Sequence, residues 1–331
     1  MNEPAMTVLM TVFNAGRFLD PSIRSITSQT FRNFEFLIVD DASTDGSVAA
    51  MEEWERKDPR VRLIRNETNK GQTPCLNQGL RSARGKWIAR QDADDLSHPA
   101  RLSEQHQFTT IRPDVVLLGT NGRIIDEHDR LTGLLDAPLT PEAIAWTSPF
   151  LNPFIHTSVM FRTDIIRDEF GGYDETYRIA QDYDLWTRVL TRHQTANLPQ
   201  RLVGYRHLES SLSKTGRERA FAEAEQVSRR ESERVFQREL DPAEQRLLAC
   251  FREGLDTENR AAFWSFYEAE RRKLDGSHSR DFSRTVAMHH LKAAGSLVAR
   301  DKVSALREIA AALRGDFFTT TSWLAERSFN A

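Results

Sequence analysis

The sequence predicts an α/β fold in which an open, mostly parallel sheet is flanked by helices and followed by a helical C-terminal region. Three observations predict it. Apolar runs suited to buried strands alternate with helix-patterned segments through about the first 90 residues, the order that builds a parallel sheet with helices on both faces. Each run ends in a polar cluster, and open α/β sheets bind ligands beyond the carboxyl ends of their strands. After Ser213 the chain turns dense in Arg and Glu, the pattern of solvated helices with paired charges.

Met6 to Phe13 is a continuous apolar run of the kind buried in a parallel sheet, and Asn14-Ala15-Gly16 breaks it. Leu19, Ile23 and Ile26 then recur at i, i+4 and i+7 with Pro21 in the first turn, which predicts an amphipathic helix. A second strand, Phe34 to Val39, ends at Asp40-Asp41-Ala42-Ser43-Thr44-Asp45; Asp41 and Asp45 also suit Asx-type turns. A helix over Ser47 to Lys57, a strand over Arg60 to Arg65, the cluster Asn66 to Gly71 and a helix carrying Leu76, Leu80 and Ala83 complete the alternation.

The fourth strand, Trp87 to Ala89, follows the turn residue Gly85 and runs into Gln91-Asp92-Ala93-Asp94-Asp95. Three aspartates within four positions cannot be buried unpaired, so they need water, basic partners or a cation. Hard divalent ions take oxygen ligands, and Mg²⁺ uses one or two carboxylates and completes its shell with phosphate and water. An Asp-rich surface turn or helix cap would explain the same residues, because Ser97 and Pro99 are good helix-start residues.

Farther on, strands are predicted over Val115 to Thr120, Gly122 to Ile125 and His156 to Phe161, with a glycine turn at Gly171-Gly172-Tyr173-Asp174-Glu175. Asp182, Leu185, Trp186 and Val189 lie at i, i+3, i+4 and i+7. That spacing places Asp182 in the first turn of a helix, where its apolar stripe meets the sheet edge and the macrodipole favours an anion. A plain helix cap is the alternative, and on periodicity alone it is the favoured one.

Composition narrows the class. The 331 residues, 39% apolar and 28% charged, fit a soluble globular chain of one large or two smaller domains. A net charge of -3 gives no reason to expect nucleic acid. Cys75 and Cys250 are far apart, so neither a disulfide framework nor a zinc site is expected, and a reducing cytoplasm is. No signal peptide and no uncharged apolar run long enough for a membrane span is seen. The glycine-rich dinucleotide fingerprint is missing after the first strand, as is a P-loop lysine, so nucleotide phosphates here need another positive partner, which a cation at the acidic tip would supply.

Taken together, the residues resemble the large family of inverting, metal-dependent glycosyltransferases that includes cellulose, chitin and hyaluronan synthases and bacterial surface-polysaccharide transferases, family 2 with its GT-A (Rossmann-like) fold. The matching pieces are Val8 to Asn14, Asp40 to Asp45, Asn69-Lys70-Gly71 with Leu76 to Gly79, and Asp92-Ala93-Asp94-Asp95. They continue through His156 to Phe161, Gly171 to Glu175, Gln181 to Trp186, and Tyr205-Arg206-His207. The resemblance covers about residues 5 to 213. It departs from the family where the first strand ends in Thr11-Val12-Phe13-Asn14 rather than Pro-x-Tyr-Asn, and where Gln181 replaces the usual Glu before Asp182.

The resemblance implies a glycosyltransferase domain over 1–213 and a helical extension over 214–331. It implies a nucleoside-diphosphate sugar donor, UDP-linked by family habit, and a glycan or lipid-linked acceptor in cell-surface polysaccharide synthesis. Asp182 is the expected general base. Thr11, Phe13, Asn14, Asp41, Lys70, Gly71, Gln91, Asp92 and Ala93 are the expected nucleotide-sugar site. Asp94 is the expected ligand of Mn²⁺ or Mg²⁺, with Asp92 and His207 as further ligands. His156 and Gln181 are expected on the acceptor side. A non-catalytic nucleotide-sugar-binding or scaffold protein on the same fold is the alternative. A cytoplasmic chain is expected, with peripheral contact at the inner face of the membrane left open by Phe317, Phe318 and Trp323. Self-association through the C-terminal helices is the other use open to the tail.

Overall fold

The computed structural model describes residues 3–208, 216–253, 257–273, 287 and 289. They fall into two compact units, Met1–Ala137 with Phe154–Arg217, and Pro138–Pro153 with Glu218–Ala331. In the first unit, strands β1 (Met6–Val12), β2 (Phe34–Asp40), β3 (Val61–Arg65) and β4 (Trp87–Asp92) run parallel in the order β3-β2-β1-β4. The sheet continues through β8 (Met160–Arg162), β6 (Val115–Ile125), β9 (Gln194–Arg206) and β5 (Leu96–Ser97), while β7 (Leu131–Leu135) pairs with β6. Contacts of β4 with β8, β8 with β6, and β9 with β5 are antiparallel, so the far half of the sheet is mixed.

β1 is central because both of its faces are buried. Met6, Val8, Met10 and Val12 join one core cluster with Ile23 and Ile26 of helix α1 (Leu19–Thr27). Leu9 faces the other way, against helix α3 (Gln72–Ser82), where Gly79 leaves it room. Helices α2 (Ser47–Lys57), α4 (Arg101–Ile111) and α6 (Gln181–Leu190) complete this unit. The polar clusters after β1, β2 and β4 therefore emerge at one edge, as parallel pairing of those strands requires.

Gly85, just before β4, lies against the backbone of β1. A Cβ there would stand 2.3 Å from the carbonyl carbon of Met6 and from the amide nitrogen of Thr7. Neither atom can swing aside as a side chain would, so Gly85→Ala is expected to destabilise the unit by at least about 2 kcal/mol. Urea denaturation of the variant tests this; a midpoint equal to that of the parent would show that β1 and the Gly85 turn are not in this contact.

Two element boundaries differ from the sequence reading. The two strands expected on either side of Asn121 are one strand, β6. Asn121 is buried, with Nδ2 donating to the Pro199 carbonyl and Oδ1 accepting from the Ala137 amide, so its polar amide is satisfied inside the sheet rather than in a turn. The strand expected to start at His156 instead begins at Met160, and His156–Ser158 is a 3₁₀ turn. That turn is fixed by its hydroxyls: Thr157 Oγ1 accepts from the Asp92 amide and Ser158 Oγ from the Thr120 amide.

The second unit is helical, as expected, with α5 (Pro141–Thr147), α7 (Arg217–Phe236), α8 (Pro242–Glu253) and α9 (Thr257–Arg272). It also takes in residues 138–153, which the sequence reading assigned to the first domain. Trp146 and Phe150 join Leu248, Phe251, Phe263 and Tyr267 in one core, and the Trp146 indole donates to the Tyr267 hydroxyl at 2.9 Å. The charge pairing expected of α7 is present, for example Arg219 with Glu223 at 2.6 Å. The helix expected over 283–314 and the aromatic residues Phe317, Phe318 and Trp323 lie outside the described residues. Among the described residues no helix is long and apolar enough to cross a membrane.

Candidate active site

The ends of β1 and β2 are cross-linked before any ligand is considered. Asn14 Oδ1 accepts the Thr44 amide at 2.8 Å, and Ser43 Oγ accepts the Asn14 amide at 3.0 Å. Asp45 accepts the Ser47 amide with one oxygen, in a turn that leads into α2, and the Gly16 amide with the other. Asn14 and Ala42 both hold positive φ, 50° and 62°. For an alanine that conformation is strained, and here it is held by the surrounding bonds at a cleft.

Asp41 organises the next wall. Its Oδ1 accepts the Lys70 amide at 2.8 Å and Asn66 Nδ2 at 3.2 Å, and its Oδ2 accepts the Gly71 amide at 2.8 Å. The carboxylate thus shapes the loop entering α3, and Oδ2 keeps acceptor capacity for a ligand. Gly71 has φ of +94°, a conformation only glycine takes readily. Together these loops enclose a cleft of about 700 Å³, whose lining includes Thr11, Phe13, Asn14, Asp41, Gly71, Asp92, Ala93 and Asp94. Phe13 is 53% exposed there, a large ring without a protein partner covering it.

Two residues expected in that cleft are not among its lining. Gln91 is fully buried beneath the acidic tip: Nε2 donates to Ser22 Oγ and to the Asp92 and Asp95 carbonyls, and Oε1 accepts from Ser97 and Arg101. With both ends of its amide engaged, it braces the acidic turn from beneath rather than facing the cleft. Lys70 contributes its amide to Asp41 while its ammonium turns back to Asn66 Oδ1 at 3.2 Å.

The three aspartates of the tip have three different environments. Asp92 is ion-paired with Arg90 at 2.6 Å through Oδ1, while its Oδ2 faces His156 Nδ1 at 3.7 Å. Asp95 is buried and accepts the Arg206 amide at 2.6 Å, and burial pushes its carboxyl well above the usual range. Asp94 lines the cleft, and no other residue's hydrogen bond to its carboxylate is found among the described residues. Burial, then the Asp92 charge, push it up to about 6. An acidic oxygen facing a cleft, its charge only partly offset by the Arg206 and Arg90 guanidinium groups, suits a hard divalent cation.

His207 does not join that set. Its amide bonds the Ile125 carbonyl at 2.9 Å and its exposed side chain, with Asp126, lines an adjoining cleft of about 420 Å³ that shares Arg17, Phe18 and Leu208 with the first. No group of three His, Cys, Asp or Glu side chains that could hold a metal is found among the described residues, so the triad of Asp92, Asp94 and His207 is not assembled. Its neighbour Arg206 is the residue that reaches the tip. That buried guanidinium donates to the Asp94 carbonyl at 2.7 Å and stacks 4.8 Å over the Phe18 ring. The sequence reading quoted Arg206 only as part of a motif, and passed over Arg90, a basic residue inside an apolar strand, which was the available signal.

Asp182 stands in the first turn of α6, half-buried, with Oδ1 accepting the Tyr183 amide at 2.8 Å. Leu185, Trp186 and Val189, its predicted helical face, are fully buried. Burial raises the Asp182 carboxyl above its ordinary range, opposed by the neighbouring His156 and reinforced by Asp92. His156, whose own basicity is lowered by burial, stands near enough to both Asp92 and Asp182 to feel their charges. Its Nε2 is buried without a partner, as is Oε1 of Gln181, whose Nε2 donates to Gln72 at the edge of the cleft. Tyr205, near the end of β9, feels the charges of Asp92, Asp94, Asp95 and Asp182 together.

Known proteins resemble this chain in sequence and in fold. The sequence pattern of Glycosyl transferase family 2 matches residues 7–170. The O-antigen biosynthesis glycosyltransferase WbnJ of Escherichia coli is 31% identical over 63% of this chain and 82% of its own length. The putative glycosyltransferase EpsE of Bacillus subtilis (strain 168) is 37% identical over 56% of this chain; the match spans 66% of the length of that relative. Two solved structures share the fold. S. aureus TarS 1-349 in complex with UDP-GlcNAc has a TM-score of 0.57 at 16% identity, covering 98% of this chain and 91% of that one. The mannosyltransferase PcManGT from Pyrobaculum calidifontis in complex with GDP-Man and Mn²⁺ has a TM-score of 0.53 at 19% identity, covering 100% and 81%. With its fold and sequence both matched, the chain belongs to glycosyl transferase family 2.

Proposed function

We propose that this protein is an inverting glycosyltransferase that moves a sugar from a nucleoside-diphosphate donor, UDP-linked by preference, to a glycan or lipid-linked acceptor in cell-surface polysaccharide synthesis. The observation that carries the reading is the closeness of His156 to both Asp92 and Asp182, next to a cleft walled by Thr11, Phe13, Asp41 and Gly71. WbnJ, an O-antigen enzyme, supports the polysaccharide assignment, and the nucleotide sugars bound to TarS and PcManGT support the donor class.

In this reading the nucleotide base lies against Phe13 and meets the remaining acceptor capacity of Asp41. Asp94, seconded by Asp92, would hold a Mn²⁺ or Mg²⁺ that stabilises the negative charge developing on the leaving diphosphate. Asp182 takes the proton of the acceptor hydroxyl as that oxygen attacks the anomeric carbon from the face opposite the diphosphate. The bond from the anomeric carbon to the diphosphate oxygen breaks in the same displacement, and configuration inverts. Burial supports Asp182 in this role, because a carboxylate with a raised pKa is a stronger base.

A ligand that binds only the folded chain raises its stability, by about 2.7 kcal/mol at one hundred times its Kd. Thermal unfolding with nucleotide sugars and Mn²⁺ is therefore expected to show a clear rise for one donor over the others. Absence of any such rise across UDP-, GDP- and dTDP-sugars, together with no sugar transfer from any of them, would remove the proposal.

A further inference from the structure

We propose that Arg90 is a built-in counter-cation that neutralises Asp92 and so makes cation binding at Asp94 depend on the donor's own diphosphate. Its guanidinium is fully buried and is wedged between the ends of β1 and β4. Nη2 donates to Asp92 Oδ1 at 2.6 Å and to Thr11 Oγ1 at 3.2 Å; Nη1 donates to the Leu9 carbonyl at 3.0 Å and to the Gln91 carbonyl; Nε has no partner. Thr11 and Asp92 are Cα partners on neighbouring strands, and both line the cleft.

Packing alone does not explain a guanidinium at this position. A buried ion pair is commonly no more stable than an apolar pair of the same volume, and here one nitrogen is left unsatisfied. What the arrangement does accomplish is electrostatic. Two adjacent carboxylates, Asp92 and Asp94, would otherwise offer a divalent ion a doubly negative site. Arg90 occupies one Asp92 oxygen and offsets its charge, leaving Asp94 as the carboxylate without a counter-ion. A second buried guanidinium, Arg101, donates to the Arg90 carbonyl at 2.7 Å and adds positive charge beneath the tip. An Mn²⁺ ion alone then meets a weak site, while Mn²⁺ with a nucleoside diphosphate brings the missing oxygen ligands. Arg90 is thus a positioning residue that favours entry of the cation together with the donor, an inference that rests on the transferase reading for the identity of the diphosphate.

The test is Mn²⁺ titration of the full chain by electron paramagnetic resonance, with and without UDP or GDP. The parent protein is expected to bind Mn²⁺ at least about tenfold more tightly with nucleotide than without. Arg90→Met and Arg90→Gln remove the positive charge and are expected to tighten nucleotide-free Mn²⁺ binding at least about tenfold, whereas Arg90→Lys, which keeps the charge, stays near the parent value. Equal Mn²⁺ affinity of the parent and the two folded neutral variants overturns the proposal. Should both neutral variants fail to fold, equal Mn²⁺ affinity of the parent with and without nucleotide overturns it. Tightening in the neutral variants with no nucleotide effect in the parent also overturns it, because the cation would then enter without the diphosphate.

Discussion

Asp182→Asn is expected to lower sugar transfer by roughly 10²–10⁴-fold while leaving donor affinity unchanged, the range a positioned general base contributes. The amide is nearly isosteric, and the Tyr183 amide that bonds Oδ1 can still donate to the Asn oxygen. What is lost is a proton acceptor within the first turn of α6. Because burial raises the Asp182 pKa, the parent's kcat/KM should fall on the acid side as pH drops through a value above the ordinary 3.8 of an aspartate, where the base becomes protonated. That limb should be missing from the residual activity of the variant. Turnover within threefold of the parent, or retention of the acid limb, would transfer the role of base to another group. Equal thermal stabilisation of parent and variant by donor separates a loss of chemistry from a loss of binding.

The half of the fold built on local periodicity was readable from the chain. β1 and β2 are mainly apolar runs buried on both faces, and α2 follows its expected span, so those boundaries fall within a residue or two of expectation. The mixed half of the sheet was less readable for a physical reason. β6 runs through Asn121 and Gly122, residues that signal a turn, because tertiary partners at Pro199 and Ala137 satisfy the Asn amide. α5 is a seven-residue helix whose Trp146 contributes to the core of the second unit, and nothing in its own sequence declares that allegiance.

The candidate site divides along the same line. Residues read from strand ends, such as Thr11, Asp41, Asp92 and Asp94, do line one cleft, since parallel pairing carries them there. The residues that sequence reasoning missed or misassigned are those whose direction depends on the fold. Gln91 and Asp92 are neighbours on a strand, so their side chains leave on opposite faces, and only one can reach the cleft. Arg206 and His207 alternate in the same way at the end of β9; the arginine is the one turned inward to the Asp94 carbonyl. Motif order identified both pairs, whereas strand alternation decides which member faces the cleft and its acidic tip.

Asp94→Asn is expected to separate binding from stability with opposite signs. In the proposed reaction it removes the principal cation ligand, so the Mn²⁺-dependent stabilisation by donor should be lost and transfer should fall at least about 10²-fold, in line with the loss of one charge-stabilising group. The cation-free protein should nevertheless become more stable at neutral pH. The folded Asp94 carboxyl is pushed up to about 6 from 3.8, so the folded chain holds this proton more tightly than the unfolded chain does. Its ionised form therefore opposes folding above that pKa, and the penalty fades as pH falls through 6 towards 3.8. An uncharged Asn escapes it, giving a gain on the order of 1–3 kcal/mol at pH 7 to 8 that shrinks to near zero by about pH 4. Thermal unfolding of parent and variant across that range, without added metal, reads the difference directly. A variant less stable than the parent at pH 7.5 would mean that the Asp94 charge is already compensated within the chain, and a parent whose donor binding ignores Mn²⁺ would remove the cation from the mechanism. If both expectations hold, the cost of burying the Asp94 charge beside Asp92 is what a cation and diphosphate relieve, which couples ligand entry at Asp94 to the stability of the fold itself.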